Sequence, residues 1–104
     1  MTTKGTHGDK VLPKRYEWAA DKNEQLRRQR GVSFEDVVSQ ILAGNEVDVI
    51  PHPNQERYPG QSISIVVIGE YAYLVPFVES EGVAFLKTIF PSRKATRRYV
   101  GESK

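Results

Sequence analysis

A chain of 104 residues, 38% hydrophobic with Trp, Tyr and Phe all present, has material for one buried core, which excludes both a multidomain protein and an intrinsically disordered one. Fifteen Lys and Arg against 13 Asp and Glu leave a net charge of only +2, so partner preference must come from where the charges lie. Without cysteine, and with only His7 and His52 as imidazoles, disulfide frameworks and thiolate metal sites are excluded and a histidine zinc site is a poor fit, so neither metal nor cofactor is expected.

Residues 1–13 are rich in Thr, Gly and Lys without apolar period and read as a flexible tail in which His7 is inert. The folded domain then spans 14–100, with a second tail over 101–104. Arg15 to Trp18 is a brief aromatic segment able to pair as a strand, and a charged helical stretch follows from about Ala19 to Arg30, ended by Gly31. The next helix has a clear start: Ser33 caps, Asp36 completes a capping box, and Val32 staples onto Val37. Phe34, Val37, Val38, Ile41 and Leu42 form one apolar stripe, closed by Gly44-Asn45.

Strands follow. Glu46 to Ile50 alternates with Val47 and Val49 on one face, and Ser62 to Ile68 alternates with Ile63, Ile65 and Val67 on one face. Gly69-Glu70 and Glu79-Ser80-Glu81-Gly82 are turns leading into Tyr71 to Val78 and Val83 to Phe90. Pro76 lacks a donor and marks an edge or a bulge. A short helix begun near Pro91 ends the domain. The predicted fold is α+β: two N-terminal helices packed on one face of a four- to five-stranded antiparallel sheet, with the opposite face open to ligand and a short basic helix at the C-terminus.

Charge is most concentrated at that end. Between Leu86 and Tyr99 stand Lys87, Arg93, Lys94, Arg97 and Arg98, and the pairs Arg93/Arg97 and Lys94/Arg98 each share a helical face. The loop from Pro51 to Gly60 contributes His52, Glu56, Arg57 and Tyr58. Together these are the parts of a metal-independent ribonuclease, in which an RNA 2′-hydroxyl attacks the neighbouring phosphate. Arg57, Lys87, Arg93 and Arg97 supply positive charge to the phosphorane. Glu56 or His52 acts as base, the imidazole being better poised with an intrinsic pKa of about 6.5. Lys94 and Arg98 add RNA contacts, and Tyr58 or Tyr99 stacks on a base or donates a proton. The plainer alternatives are a turn histidine, solvated loop charges, and a basic helix that binds RNA or an acidic protein without chemistry. Lys87 is the sharper signal, since it shares the predicted face of Phe85 and Ile89 and needs either the rim or a partner.

Two segments resemble a known family. Tyr16-Glu17-Trp18, Lys22-Asn23 and Gly31-Val32-Ser33-Phe34-Glu35 are similar to the opening of the BrnT-family toxins of bacterial type II toxin-antitoxin modules, and Ser92-Arg93-Lys94-Ala95-Thr96 to their terminal motif. The likeness runs from Tyr16 to Tyr99. It implies a compact RelE-like fold, a ribonuclease activity that blocks translation, and neutralisation by a BrnA-like antitoxin with a ribbon-helix-helix part, through which alone operator DNA would be bound. It carries roles onto Glu56-Arg57 and onto Arg93, Lys94 and Arg97. Where the family has a capping Asp after the Trp, this chain has Ala19-Ala20, which weakens that helix start by about 1 kcal/mol unless Asp21 takes over. No apolar run approaches the roughly 20 residues needed to cross a bilayer, and the opening lacks the hydrophobic stretch of a secretion signal, so a cytoplasmic protein without membrane contact is expected.

Overall fold

The computed structural model describes residues 12–101. The segments read as tails lie outside the described residues apart from Leu12, Pro13 and Gly101, and His7 lies outside them too. The element order is β1 (Arg15–Glu17), α1 (Ala20–Arg30), α2 (Phe34–Leu42), β2 (Glu46–Pro51), β3 (Ser62–Ile68), β4 (Tyr71–Ser80), β5 (Val83–Leu86), β6 (Phe90–Pro91) and α3 (Arg93–Tyr99).

Helix α1 starts without a side-chain cap at Ala19, and Asp21 does not replace it, since its Oδ1 accepts only from the adjacent Lys22 N–H. What holds α1 is its inner face. Leu26 and Asn23 are buried, and the Asn23 side chain bridges the two helices: Oδ1 accepts the Phe34 N–H at 2.7 Å and Nδ2 donates to Glu35 at 2.8 Å. Gly31 ends the helix at φ 70°, a left-handed conformation that favours glycine.

Helix α2 has the predicted capping box, with Asp36 N–H donating to Ser33 Oγ and Ser33 N–H to Asp36 Oδ2. Phe34, Val37 and Ile41 are buried in a core with Leu26, Val32, Val66, Val75, Ala84, Leu86 and Ile89, and Trp18 stacks on Phe34 with ring centroids 5.5 Å apart. Burying a side chain of this size contributes roughly 1.5–3 kcal/mol. Leu42 departs from its stripe, ending the helix 64% exposed.

The sheet order is β1-β5-β4-β3-β2, with β6 pairing β4 beyond β5. It is mixed, not antiparallel throughout, because β1 pairs parallel with β5; the long connection through both helices and the meander returns the chain in the same direction. Glu81 and Gly82 turn β4 into β5 with φ of 53° and 83°, as a tight hairpin between right-twisted strands requires.

Two irregularities decide which side chains face where. In β2, Glu46 is opposite Val66 but Asp48 is opposite Ile65, so Val47 is the extra residue of a bulge, and the expected shared face of Val47 and Val49 is broken. Along β4, Phe77 pairs with Leu86 but Leu74 pairs with Phe90, so Lys87 to Ile89 also contains one residue too many. Pro76 explains the place. It lies inside the sheet, not at an edge; its carbonyl accepts the Lys87 N–H at 2.8 Å, and it has no N–H with which to continue the ladder.

Direct cross-strand partners share a face. Val66, Val75 and Leu86 face α1 and α2, whereas Ile63, Ile65 and Ala72 pack with Ala95 of α3, joined by Val67, Leu74 and Tyr99. The face expected to be open is therefore crossed by α3, and the sheet lies between two helical layers. No helix among the described residues is long and apolar enough to cross a membrane.

Candidate nucleic-acid interface

Helix α3 begins at Arg93, two residues beyond Pro91, which ends β6. Ser92 is its cap, with Oγ accepting the Ala95 N–H at 3.0 Å. Thr96 fastens it to the sheet: its hydroxyl donates to the Ser92 carbonyl and accepts the Ala72 N–H, both at 2.8 Å. Ser92, Ala95, Thr96 and Tyr99 thus form the inward stripe at i, i+3, i+4 and i+7. Arg93, Lys94, Arg97 and Arg98 are left outward and exposed, with Arg93/Arg97 on one flank of the crest and Lys94/Arg98 on the other.

The C-terminal end of α3 is tied to the edge strand. Tyr99 O–H donates to Asp48 Oδ2 at 2.6 Å, and the Arg98 guanidinium lies 5.4 Å from the Tyr99 ring centroid. The bond to Asp48 holds the phenol above its ordinary pKa. The bulge at Val47 makes this contact, because it turns Asp48 to the α3 face while Glu46 stays on the other. Asp48 also uses Oδ1 to accept the Val49 N–H at 2.8 Å. Sequence reasoning missed Asp48; its one visible signal is a carboxylate set between valines in an alternating strand.

Lys87 is exposed at the end of β5, not held among apolar side chains. It lies on the same side as Phe85, with Nζ 5.4 Å from that ring centroid. Ile89 does not share its face, since the second bulge sends Ile89 into the α1/α2 core. By register Lys87 stands in one row with Pro76, Ile63 and Ile50, directly beside the row of Phe90, Leu74, Ile65 and Asp48 that α3 covers.

The loop between β2 and β3 is closed on itself. His52 Nδ1 accepts the Asn54 N–H at 3.0 Å, the His52 ring lies 4.4 Å from that of Tyr58, and Arg57 sits 5.6 Å from the Tyr58 centroid. Gln55 bonds the carbonyls of His52 and Gln61 and accepts the Gly60 N–H. With Nδ1 engaged as an acceptor, neutral His52 carries its proton on Nε2, which leaves no free lone pair for a general base. Glu56 is exposed and takes part in no ion pair among the described residues. Among the described residues, no hydrogen bond, ion pair or ring contact joins His52, Glu56, Arg57 or Tyr58 to Lys87 or to α3. The ten residues singled out from sequence thus form two groups. Lys87, Arg93, Lys94, Arg97, Arg98 and Tyr99 belong to the α3 side of the sheet, and His52, Glu56, Arg57 and Tyr58 to the β2–β3 loop, which leaves the sheet at Pro51 and Ser62, the end at which Lys87 also stands.

The first group gathers five cations that no carboxylate among the described residues answers. Among the described residues the ion pairs are Arg15 with Glu17, Arg27 with Glu24 and Glu35, and Arg28 with Glu24. Lys87, Arg93, Lys94, Arg97 and Arg98 take part in none, so their charge is available to an external anion. Comparison with protein-family models, with curated proteins and with solved structures finds no match.

Proposed function

We propose that this chain is a BrnT-like toxin of a type II toxin-antitoxin pair, which binds RNA across the α3 side of its sheet and cleaves it without a metal. One observation carries the reading: five cations on one side of the sheet, paired with no carboxylate among the described residues, beside the half-buried aromatic Tyr99. Guanidinium groups with open forks match phosphate oxygens, and a tyrosine held by its hydroxyl offers a ring face to an unstacked base. The order of two helices, a meander and a basic helix, with the end motifs in their family positions, supports a RelE-like assignment. The resemblance implies a BrnA-like antitoxin as well, and acidic groups on such a partner would complement this basic surface.

A second reading, RNA binding without cleavage, is favoured by the loop, where His52 is engaged within its own turn and Glu56 is paired with no cation among the described residues. The two separate in one experiment. Induction in bacteria arrests growth and fragments RNA if the toxin reading holds, and Arg93→Ala with Arg97→Ala relieves both. Purified protein that binds single-stranded RNA but never shortens it, with or without chelator, selects the second reading. In either case log affinity falls against log salt with a slope on the order of −3, as four to five phosphate contacts on a single strand require. A protein with no affinity for RNA at low salt defeats both.

A further inference from the structure

On the face away from α3 lies a cavity of about 220 Å³, walled by Ile41 of α2, by Phe77 and Leu86 of the sheet, and by Pro13. An apolar cavity of roughly 150 Å³ is already large enough to take benzene. This one differs in having acid at its margin: Glu46, Glu79, Tyr16 and Ser64 also line it. Ser64 O–H donates to Glu46 Oε2 at 2.5 Å. Glu79 enters no hydrogen bond or ion pair among the described residues. The Tyr16 phenol registers the resulting field, its pKa pushed up to about 12 by burial first and then by the charges of Glu46 and Glu79.

We infer that this cavity is a binding site for a small amphiphilic amine, whose apolar body fills the space between α2 and the sheet and whose ammonium group meets the Glu79 carboxylate at the rim. An apolar wall with a few convergent polar groups is the usual form of a small-molecule site. The sign of the charge chooses among ligands of one shape: a neutral alcohol gains only the wall, an ammonium gains wall and carboxylate, and a carboxylate ligand is repelled. The site is separate from the basic surface in position and in charge, so it does not depend on the RNA reading.

The test uses the full chain with hexylammonium as probe, followed by backbone amide chemical shifts. Saturable shifts confined to Ile41, Phe77, Ala84 and Leu86, absent with hexanoate and weaker with hexanol, support the site. Glu79→Gln keeps the shape of the exposed side chain and weakens hexylammonium roughly tenfold, while Ala84→Leu narrows the cavity and removes binding. Shifts that never saturate, equal binding of hexanoate, or an unchanged affinity in Glu79→Gln overturn the proposal.

Discussion

Helices α1 and α3 carry the same number of basic residues and use them in opposite ways. In α1, which holds Lys22, Arg27, Arg28 and Arg30, two of the arginines are answered on the spot: Arg27 by Glu24 and Glu35, Arg28 by Glu24. In α3, Arg93, Lys94, Arg97 and Arg98 have no acidic residue within the helix to answer them. Exposed pairs like those of α1 contribute little to stability, about 0–1 kcal/mol, but they cancel the field that would draw a polyanion. The lesson is that counting cations along a chain says less than asking whether the fold has given each a partner.

Charge reversal tests this difference most severely. Arg93→Glu with Arg97→Glu should lower RNA affinity by about a hundredfold or more and flatten its salt dependence, since two phosphate contacts are lost and two repulsions gained. Arg27→Glu with Arg28→Glu changes net charge by the same amount and should shift affinity by less than about threefold. Equal losses, measured by filter binding at matched salt, would mean that only total charge matters. A smaller effect belongs to the joint beneath α1. Asn23→Ala leaves the buried Phe34 N–H without its acceptor and should cost about 2 kcal/mol in urea unfolding, with RNA affinity of the folded protein unchanged. A third change acts on the fastening of α3. Tyr99→Phe keeps the ring but removes the donor to Asp48, and should speed amide exchange in the last turn of α3 several-fold while leaving α1 as it was.

Much of this was visible in the residues before folding. Ser33 and Asp36 specify the start of α2, the valine and isoleucine alternation of β3 specifies its two faces, and the basic stripe of α3 is readable from the i, i+4 pairs. What could not be read is orientation past an irregularity. A strand period of two assigns every residue to a face until one extra residue reverses the assignment. The bulge at Val47 separates Glu46 from Asp48, and the one after Lys87 separates Lys87 from Ile89. Only Pro76 hinted at the second, and nothing in the local sequence marks the first. The parallel pairing of the three-residue β1 was illegible for another reason: a segment so short has no pattern from which to choose a direction. Where the His52 loop and α3 leave the sheet is likewise a long-range fact, the loop ending beside the Ser62–Phe77 pair and α3 starting beside the Tyr73–Pro91 pair.

The smallest expected effect concerns the face that α3 does not cover. Tyr16 is held neutral there, with its pKa near 12 against about 10 in an unfolded chain. The folded state therefore binds the phenolic proton more tightly than the unfolded state. The stability this provides is fully present below pH 10 and is lost as the pH rises through 12. Tyr99 is raised as well and has the same sign, its cause being the bond to Asp48 on the other face. Unfolding midpoints of the native chain should fall across this window, and Tyr16→Phe should flatten most of the slope whereas Tyr99→Phe removes less. A flatter alkaline loss in Tyr99→Phe than in Tyr16→Phe would place the alkaline sensitivity under α3 and remove the acidic cavity as its source.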